Sequence, residues 1–327
     1  MRAFFWNSDE DRLRSFWRVL LQAGLTVVPL LIAAQLGLYK SGESIAIRVV
    51  VLALPLTIAS IYLVGRYVDK RRLSDFGLQF KQKSWWLDYG FGWLAGFVAA
   101  TSVVLFLRMI GWATIGFSSV RGVDLAAMAA GIVISLLVYA GVGVFEELMR
   151  AYQIRNFTEG LAGPKFGVAA AMFLAVLLAG LWSVSMHLAS GDAAFLFYVL
   201  ITSCIYGLFF LWTGRAALAM AMHFSWDFTV SSIFFLGAEG IPEAAIAYVY
   251  LDRVPDLAIN PVPAIGILAK LLGLLLVAGW IKRRAGDIRL QRQIAVPSLV
   301  DLDRSEEPPN QQTWTGPAEP ASKEMRP

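Results

Sequence analysis

The sequence predicts an all-α fold, a polytopic membrane helix bundle of about eight transmembrane helices, and three observations carry that reading. The 327 residues are 57% hydrophobic and only 16% charged, far too apolar for a soluble domain of that length. The apolar residues fall in runs of about 20, the length that crosses a ~30 Å hydrocarbon core. The runs are unbroken rather than alternating, which argues against a strand barrel, the other architecture that satisfies its backbone in lipid.

In chain order the expected spans are residues 17–38, 46–66, 87–110, 125–150, 166–188, 194–213, 215–237 and 262–281. Asp9, Glu10, Asp11, Arg12 and Arg14 precede the first span, and no short apolar core with a small-residue cleavage site follows them, so that span is expected to stay attached. Pro29 and Pro55 fall in the first two spans. Residues 70–86, KRRLSDFGLQFKQKSWW, mix a basic face with Leu, Phe and paired tryptophans. Such a stretch suits the headgroup layer, with Trp85 and Trp86 anchoring the entry into span three. Span four ends in GVFEELMRAYQIRN, residues 143–156. Spans five and seven hold the two histidines, in LWSVSMHLAS and LAMAMHFSWDF. Span six contains Cys204, and a single cysteine offers neither a disulfide framework nor a cysteine-based zinc site. Residues 238–261, with Glu239, Glu243, Asp252, Asp256 and several prolines, read as an outside loop. From residue 286 the composition turns polar, with EEPPNQQ and GPAEPAS. A membrane-embedded domain of residues 1–285 followed by a disordered cytoplasmic tail, 286–327, is therefore expected.

The net charge of +4 would suggest nucleic acid in a soluble chain, but here its placement matters more, and no nucleic-acid partner is expected. Arg2, Arg12, Arg14 and Arg18 lie before or at the start of span one; Arg66, at the end of span two, and Lys70, Arg71, Arg72, Lys81 and Lys83 mark the connection to span three. Arg155 and Lys165, then Arg215, then Lys282, Arg283 and Arg284 mark every second connection after that, whereas the alternate loops hold mainly Lys40, Arg121 and Arg253. By the positive-inside rule both termini face the cytoplasm, in an integral protein of the plasma or inner membrane surrounded by lipid.

Ionisable groups within spans are costly and by default mark a site. Those singled out are Glu146, Glu147, Arg150, His187, His223 and Asp227. His223 and Asp227 are four residues apart and share a helix face, as do Glu146 and Arg150. One glutamate is explained by an ion pair with Arg150. The adjacent one points ~100° away around the helix and needs its own partner, for which a histidine from another span is the candidate. Each histidine alone also reads as a satisfied interior residue.

A glutamate pair followed by arginine, a histidine near the end of the next span and HxxxD two spans later resemble the CPBP family, also called Abi or type II CAAX prenyl endopeptidases. The resemblance covers about residues 70–230 and includes DFGL, similar to the family's LGL. It implies an eight-helix membrane protease with its active site inside the bilayer, acting on a peptide or protein substrate that is lipidated in the CAAX case and bacteriocin-related in the other. By position, Glu146 is the general base that activates water, Glu147 the supporting carboxylate, and His187 the partner of the base. His223 and Asp227 form the oxyanion side, and Arg150 is supporting. The chain departs from the pattern in three places. Its motif is EExxR rather than EExxxR, and registering on the arginine would put Phe145 in the catalytic place; the glutamates are taken to set the register. Ser183 stands at the phenylalanine of FxxxH, and Asp227 where asparagine is common.

Glu146, His187 and His223 would also form a zinc set with an open position for water, but HExxH is absent; no metal is assigned, and zinc is the alternative. A transporter or proton relay and a catalytically inactive scaffold are the competing function classes. One depth conflict stands: His187 lies ~30 Å along span five, too far to meet Glu146 under these boundaries unless span five starts deeper or residues 188–193 re-enter the membrane.

Overall fold

Charge, proline and glycine decide where the apolar runs begin and end as helices. A computed structural model describes residues 2–36, 49–117, 124–163, 166–189, 192–236, 245–251, 254, 260–296 and 299. Helix α1 is Ser15–Gln35, with Pro29 inside it. Helix α2 spans residues 49–68, an α-helix Leu54–Leu63 between π turns Val49–Ala53 and Val64–Val68. Pro55 sits in the first turn of the α-helical part, where a missing N–H is tolerated. Helices α3 (Lys83–Met109), α4 (Leu125–Leu161), α5 (Val168–Met186) and α6 (Ala193–Thr213) follow. Helix α7 is Ala217–Phe228, prolonged by the π turn Thr229–Ile233, and α8 is Val262–Ala285.

The chain is mostly helical, and among the described residues seven helices are long and apolar enough to cross a membrane. The seventh expected span, 215–237, is the shorter one. It becomes α7 and its π turn, buried along most of its length between α3 and α4. Small strands, absent from the expectation, close the two ends. Trp6–Asn7 pairs with Arg12–Leu13, and Ala247–Tyr250 pairs antiparallel with Thr114–Phe117 and parallel with Phe234–Phe235. Most of the expected outside loop 238–261 lies outside the described residues.

Helix α4 organises the bundle. Asp124 caps its start, accepting from the N–H groups of Ala126 and Ala127. It then runs 37 residues, about 55 Å, well past the expected end at residue 150. The extension is held by charge. Glu159 accepts from Arg12 at 2.5 Å and Arg18 at 2.6 Å, and also from Arg71. Arg18 reaches Asp69 at 3.0 Å, and burial pushes the Asp69 carboxyl above its usual range despite that arginine. Arg155, expected in a loop, is buried on the same extension and donates to the Asp75 carbonyl at 2.9 Å. The N-terminal segment, the end of α2 and the end of α4 thus meet at one basic end.

The lead-in to α3 is packed rather than simply laid on a surface. Gly77 takes φ +89°, a left-handed turn that favours glycine. Its carbonyl accepts from the Trp85 indole at 2.8 Å and from the Ala216 N–H at 3.1 Å. Trp85 is therefore core, and Trp86 alone of the pair is exposed. Residues 286–296, expected in the tail, are placed against the same end: Gln291 N–H donates to the Leu211 carbonyl, and Ile294 is fully buried. The rest of the expected tail, apart from residue 299, lies outside the described residues.

Helix α7 is gripped by close backbone approach. A Cβ at Gly92 or Gly96 of α3 would lie 2.6 Å from the Leu218 carbonyl oxygen or 2.5 Å from that of Met222, and one at Gly143 of α4 would lie 2.8 Å from that of Met220. Small residues let helices pack this tightly in lipid.

Two outcomes test this account. Gly96→Leu should lower the thermal midpoint in detergent, by the equivalent of ~1–3 kcal/mol or more of overpacking, while Gly90→Leu, in open space on the same helix, should not. Glu159→Ala should cost about 3–5 kcal/mol, because it takes the ion pair from buried Arg71 and one of two carboxylates from Arg12 and from Arg18; chemical unfolding of the two proteins side by side would measure it.

Candidate functional site

The acidic pair of α4 lies where α4, α5, α6 and α7 converge. Glu147 and Arg150 are buried, one turn apart, and joined by a direct ion pair through Glu147 Oε1 and Arg150 Nη1. The same Oε1 is 2.7 Å from His223 Nδ1 on α7. The histidine from another span is thus His223, but it meets the same glutamate as Arg150 rather than the adjacent one, Glu146. Arg150 continues the network, donating through Nη2 to Ser183 Oγ of α5 at 3.1 Å and Ser203 Oγ of α6 at 3.2 Å. Ser183, a departure from the motif by sequence, thus has a specific partner. The other ring nitrogen of His223, Nε2, is 3.3 Å from Asp227 Oδ2, as the four-residue spacing predicts.

Exposure divides the cluster into a floor and a rim. The side chains of Glu147 and Arg150 are 2% and 4% exposed, and those of His223, Glu146 and Asp227 are 13%, 20% and 26%. Glu146 keeps a long contact of 3.9 Å to Arg150 Nη2. Both glutamates therefore address the one arginine, although the EExxR spacing brings it a residue early. Phe145 is elsewhere: it packs with Ala53 and Met149 and against Leu30, Leu54 and Trp182 in a separate apolar cluster.

His187 caps the end of α5, and its Nδ1 donates to the Ser183 carbonyl at 2.8 Å. That bond leaves Nε2 as the acceptor nitrogen of the neutral ring. The ring of His187 lies 6.1 Å from that of Phe195, and its depth relative to the acidic cluster follows from register. The Arg150–Ser183 contact fixes how the antiparallel helices α4 and α5 pass each other. Glu146 is one turn before Arg150 and His187 one turn after Ser183, so both sit about 6 Å beyond that contact toward the same end. The assumption at fault was that Glu146 lay near the helix end, since α4 continues to Leu161.

Side chains that sequence reasoning passed over complete the floor. The Tyr206 ring of α6 stacks on the His223 imidazole, centroids 5.2 Å apart and planes at 26°, with the Arg150 guanidinium 5.7 Å from its centre. Lys270 of α8 donates to the Tyr206 hydroxyl and lies 3.7 Å from the Trp226 ring centre. The signal for Lys270 was present, a lysine inside an otherwise uncharged span. For Ser203 and Tyr206 no pattern in the chain marked them out. At the other end of α5 from His187, a surface groove is lined by Val168, Met172, Leu290 and Arg292; none of the clustered ionisable groups lines it.

Both nitrogens of His223 face carboxylates, the arrangement of a ring that donates twice rather than one that offers a lone pair. Among the described residues no group of three or more His, Cys, Asp or Glu is gathered around one metal position.

A family model described as Type II CAAX prenyl endopeptidase Rce1-like matches residues 127–229, from the first turn of α4 to just past α7. All six ionisable residues singled out by sequence fall inside the match, which agrees with the resemblance read from their spacing; Lys270 falls outside it. No curated protein and no solved structure matches the chain. With its apolar helices, the chain is an integral membrane protein, and residues 127–229 of it are similar to that endopeptidase family.

The two glutamates should differ in kind. Glu147→Ala strands Arg150 in the interior and should cost about 3–5 kcal/mol, seen as a lowered unfolding midpoint, whereas Glu146→Gln should leave that midpoint within about 0.5 kcal/mol of the parent.

Proposed function

We propose that the floor and rim around Glu146, Glu147, His187, His223 and Asp227 form the active site of an intramembrane endopeptidase that hydrolyses peptide bonds without a metal. The carrying observation is the imidazole of His223 held between Glu147 and Asp227, with Glu146 one helix position from Glu147 and more exposed. Peptide hydrolysis needs a base for water and a donor aimed at the oxygen that becomes negative. Glu146 takes the proton of a water molecule, and the hydroxide oxygen bonds to the scissile carbonyl carbon. The carbonyl electron pair moves onto oxygen, where the His223 Nε2–H donates to it. When the intermediate collapses the C–N bond breaks and the proton held by Glu146 passes to the leaving amine, so that the carboxylate is regenerated.

The other groups position these two. Glu147 fixes the ring through Nδ1, so Nε2 is the nitrogen available to substrate. Asp227 orients Nε2 in the resting state and yields that proton to the oxyanion. This answers the difficulty raised by an aspartate at a place where asparagine is common: its role is toward the ring and not toward the oxyanion. His187, at the level of Glu146, assists the base. Packing of Phe145 in a separate cluster supports the register set by the glutamates. We also place the basic end on the cytoplasmic side, on the charge pattern of the connections, and take membrane peptides with a C-terminal lipid as the substrate class to test first.

The decisive substitution is Glu146→Gln. In proteoliposomes given farnesylated and unmodified C-terminal peptides, and in a survey of membrane-peptide termini from cells, it should reduce turnover by roughly 10²–10⁴-fold with an unchanged unfolding midpoint. Cleavage retained by this variant would overturn the reading, as would transport or signalling activity that persists while no peptide terminus changes. Cleavage of the unmodified peptide as fast as the farnesylated one would reject the lipid requirement alone.

A further inference from the structure

Lys270 is 1% exposed in the middle of α8, and among the described residues no carboxylate lies within ion-pairing distance of it. A buried ammonium is costly unless its donors are satisfied. What faces it is aromatic: its Nζ donates to the Tyr206 hydroxyl, lies 4.9 Å from the Tyr206 ring centre and 3.7 Å from that of Trp226. Trp226 immediately precedes Asp227, and Tyr206 is the ring stacked on His223. Two aromatic contacts thus join one lysine to both members of the oxyanion side.

We propose that Lys270 is a positioning residue of the active site: by holding the Tyr206 hydroxyl and the Trp226 face, it fixes the aromatic wall against which the His223 imidazole is set. The inference rests on the endopeptidase reading for its kinetic consequence, but its structural content stands apart from that reading. It also gives α8, which lies beyond the matched segment, a part in the chemistry. Tyr206 can turn about two side-chain bonds, and a stacked neighbour alone leaves sliding in the ring plane open. A hydrogen bond at the hydroxyl removes that freedom, and displacement of a reacting group by about 1 Å costs on the order of 10²-fold in rate.

The test uses Lys270→Met, which keeps the length of the chain but cannot donate; Lys270→Arg, which can; and Tyr206→Phe, which removes only the hydroxyl. Turnover should fall roughly 10- to 100-fold in Lys270→Met and Tyr206→Phe with little change in KM. The double variant should be no worse than either alone, and Lys270→Arg should recover part of the loss. A spectroscopic readout separates positioning from folding and from the choice of reaction. The chain has two histidines, so ring-labelled protein in micelles gives two imidazole signals, assigned with His187→Gln. The His223 signal should move in Lys270→Met and in Tyr206→Phe, because the stacked ring is no longer held, while the His187 signal stays. A stationary His223 signal in both variants, or losses that multiply in the double variant, would overturn the proposal. Should Lys270→Met fail to fold, Tyr206→Phe carries the test alone. A displaced His223 signal in a protein whose parent cleaves nothing would reject the endopeptidase reading and leave the role of Lys270 intact.

Discussion

Glu147 accepts from two helices through one oxygen, and the interior is arranged so that it can. A carboxylate taken out of water carries a desolvation cost of several kcal/mol, which is offset only when charged donors meet it in good geometry. Here Arg150 meets it from its own helix and His223 from α7. Arg150 in turn needs its remaining donors satisfied, and Ser183 and Ser203 supply acceptors from α5 and α6. Satisfying one buried charge therefore ties four helices into a single register. The neighbouring Glu146 is left free of that duty, with one long contact and a partly open side chain. Adjacent carboxylates on one helix end up with different tasks because the helix turns them ~100° apart.

The same helix carries the second ionic network, and the two act at opposite ends of a rigid rod. Glu159 gathers three arginines twelve residues after Glu147, about 18 Å along the axis. This fixes α1 and the end of α2 to α4 at the basic end, while the Glu147 network fixes α5, α6 and α7 in the interior. On α7 the grip is steric instead of ionic. Gly92, Gly96 and Gly143 bring neighbouring backbones against its carbonyls, so the helix that presents His223 and Asp227 has little room to shift. Charge sets which faces meet, and the glycines set how closely.

Much of this was legible in the chain because lipid makes the penalties large. Apolar runs of spanning length gave the helices, and the exceptional ionisable residues gave the cluster, since each had to be justified. The His223–Asp227 contact followed from a spacing of four. What stayed hidden depends on how helices distant in sequence pass each other. The level of His187 is not legible in the chain, because hydrophobicity stops near residue 150 whereas buried arginines carry α4 on to Leu161. Trp85 was read as an interfacial anchor because its neighbours are basic, yet the Gly77 turn draws it into the core. Lys270 was visible by the same rule that found the glutamates. Its partners were not, because the Tyr206 hydroxyl and the Trp226 face are defined only once α6, α7 and α8 are packed.

Aromatic surroundings suit a lysine that has no carboxylate beside it among the described residues. The Tyr206 hydroxyl gives Nζ an acceptor, and the faces of Tyr206 and Trp226 meet the rest of the group, so the buried nitrogen is partnered without an acid. A carboxylate in the same place would hold the lysine by a bond of its own and leave the two rings untethered. Because Tyr206 also stacks on His223 and Trp226 precedes Asp227 in the chain, the contacts that satisfy Lys270 are the same ones that brace the wall behind the imidazole, with α8 supplying the part that lies beyond the matched segment.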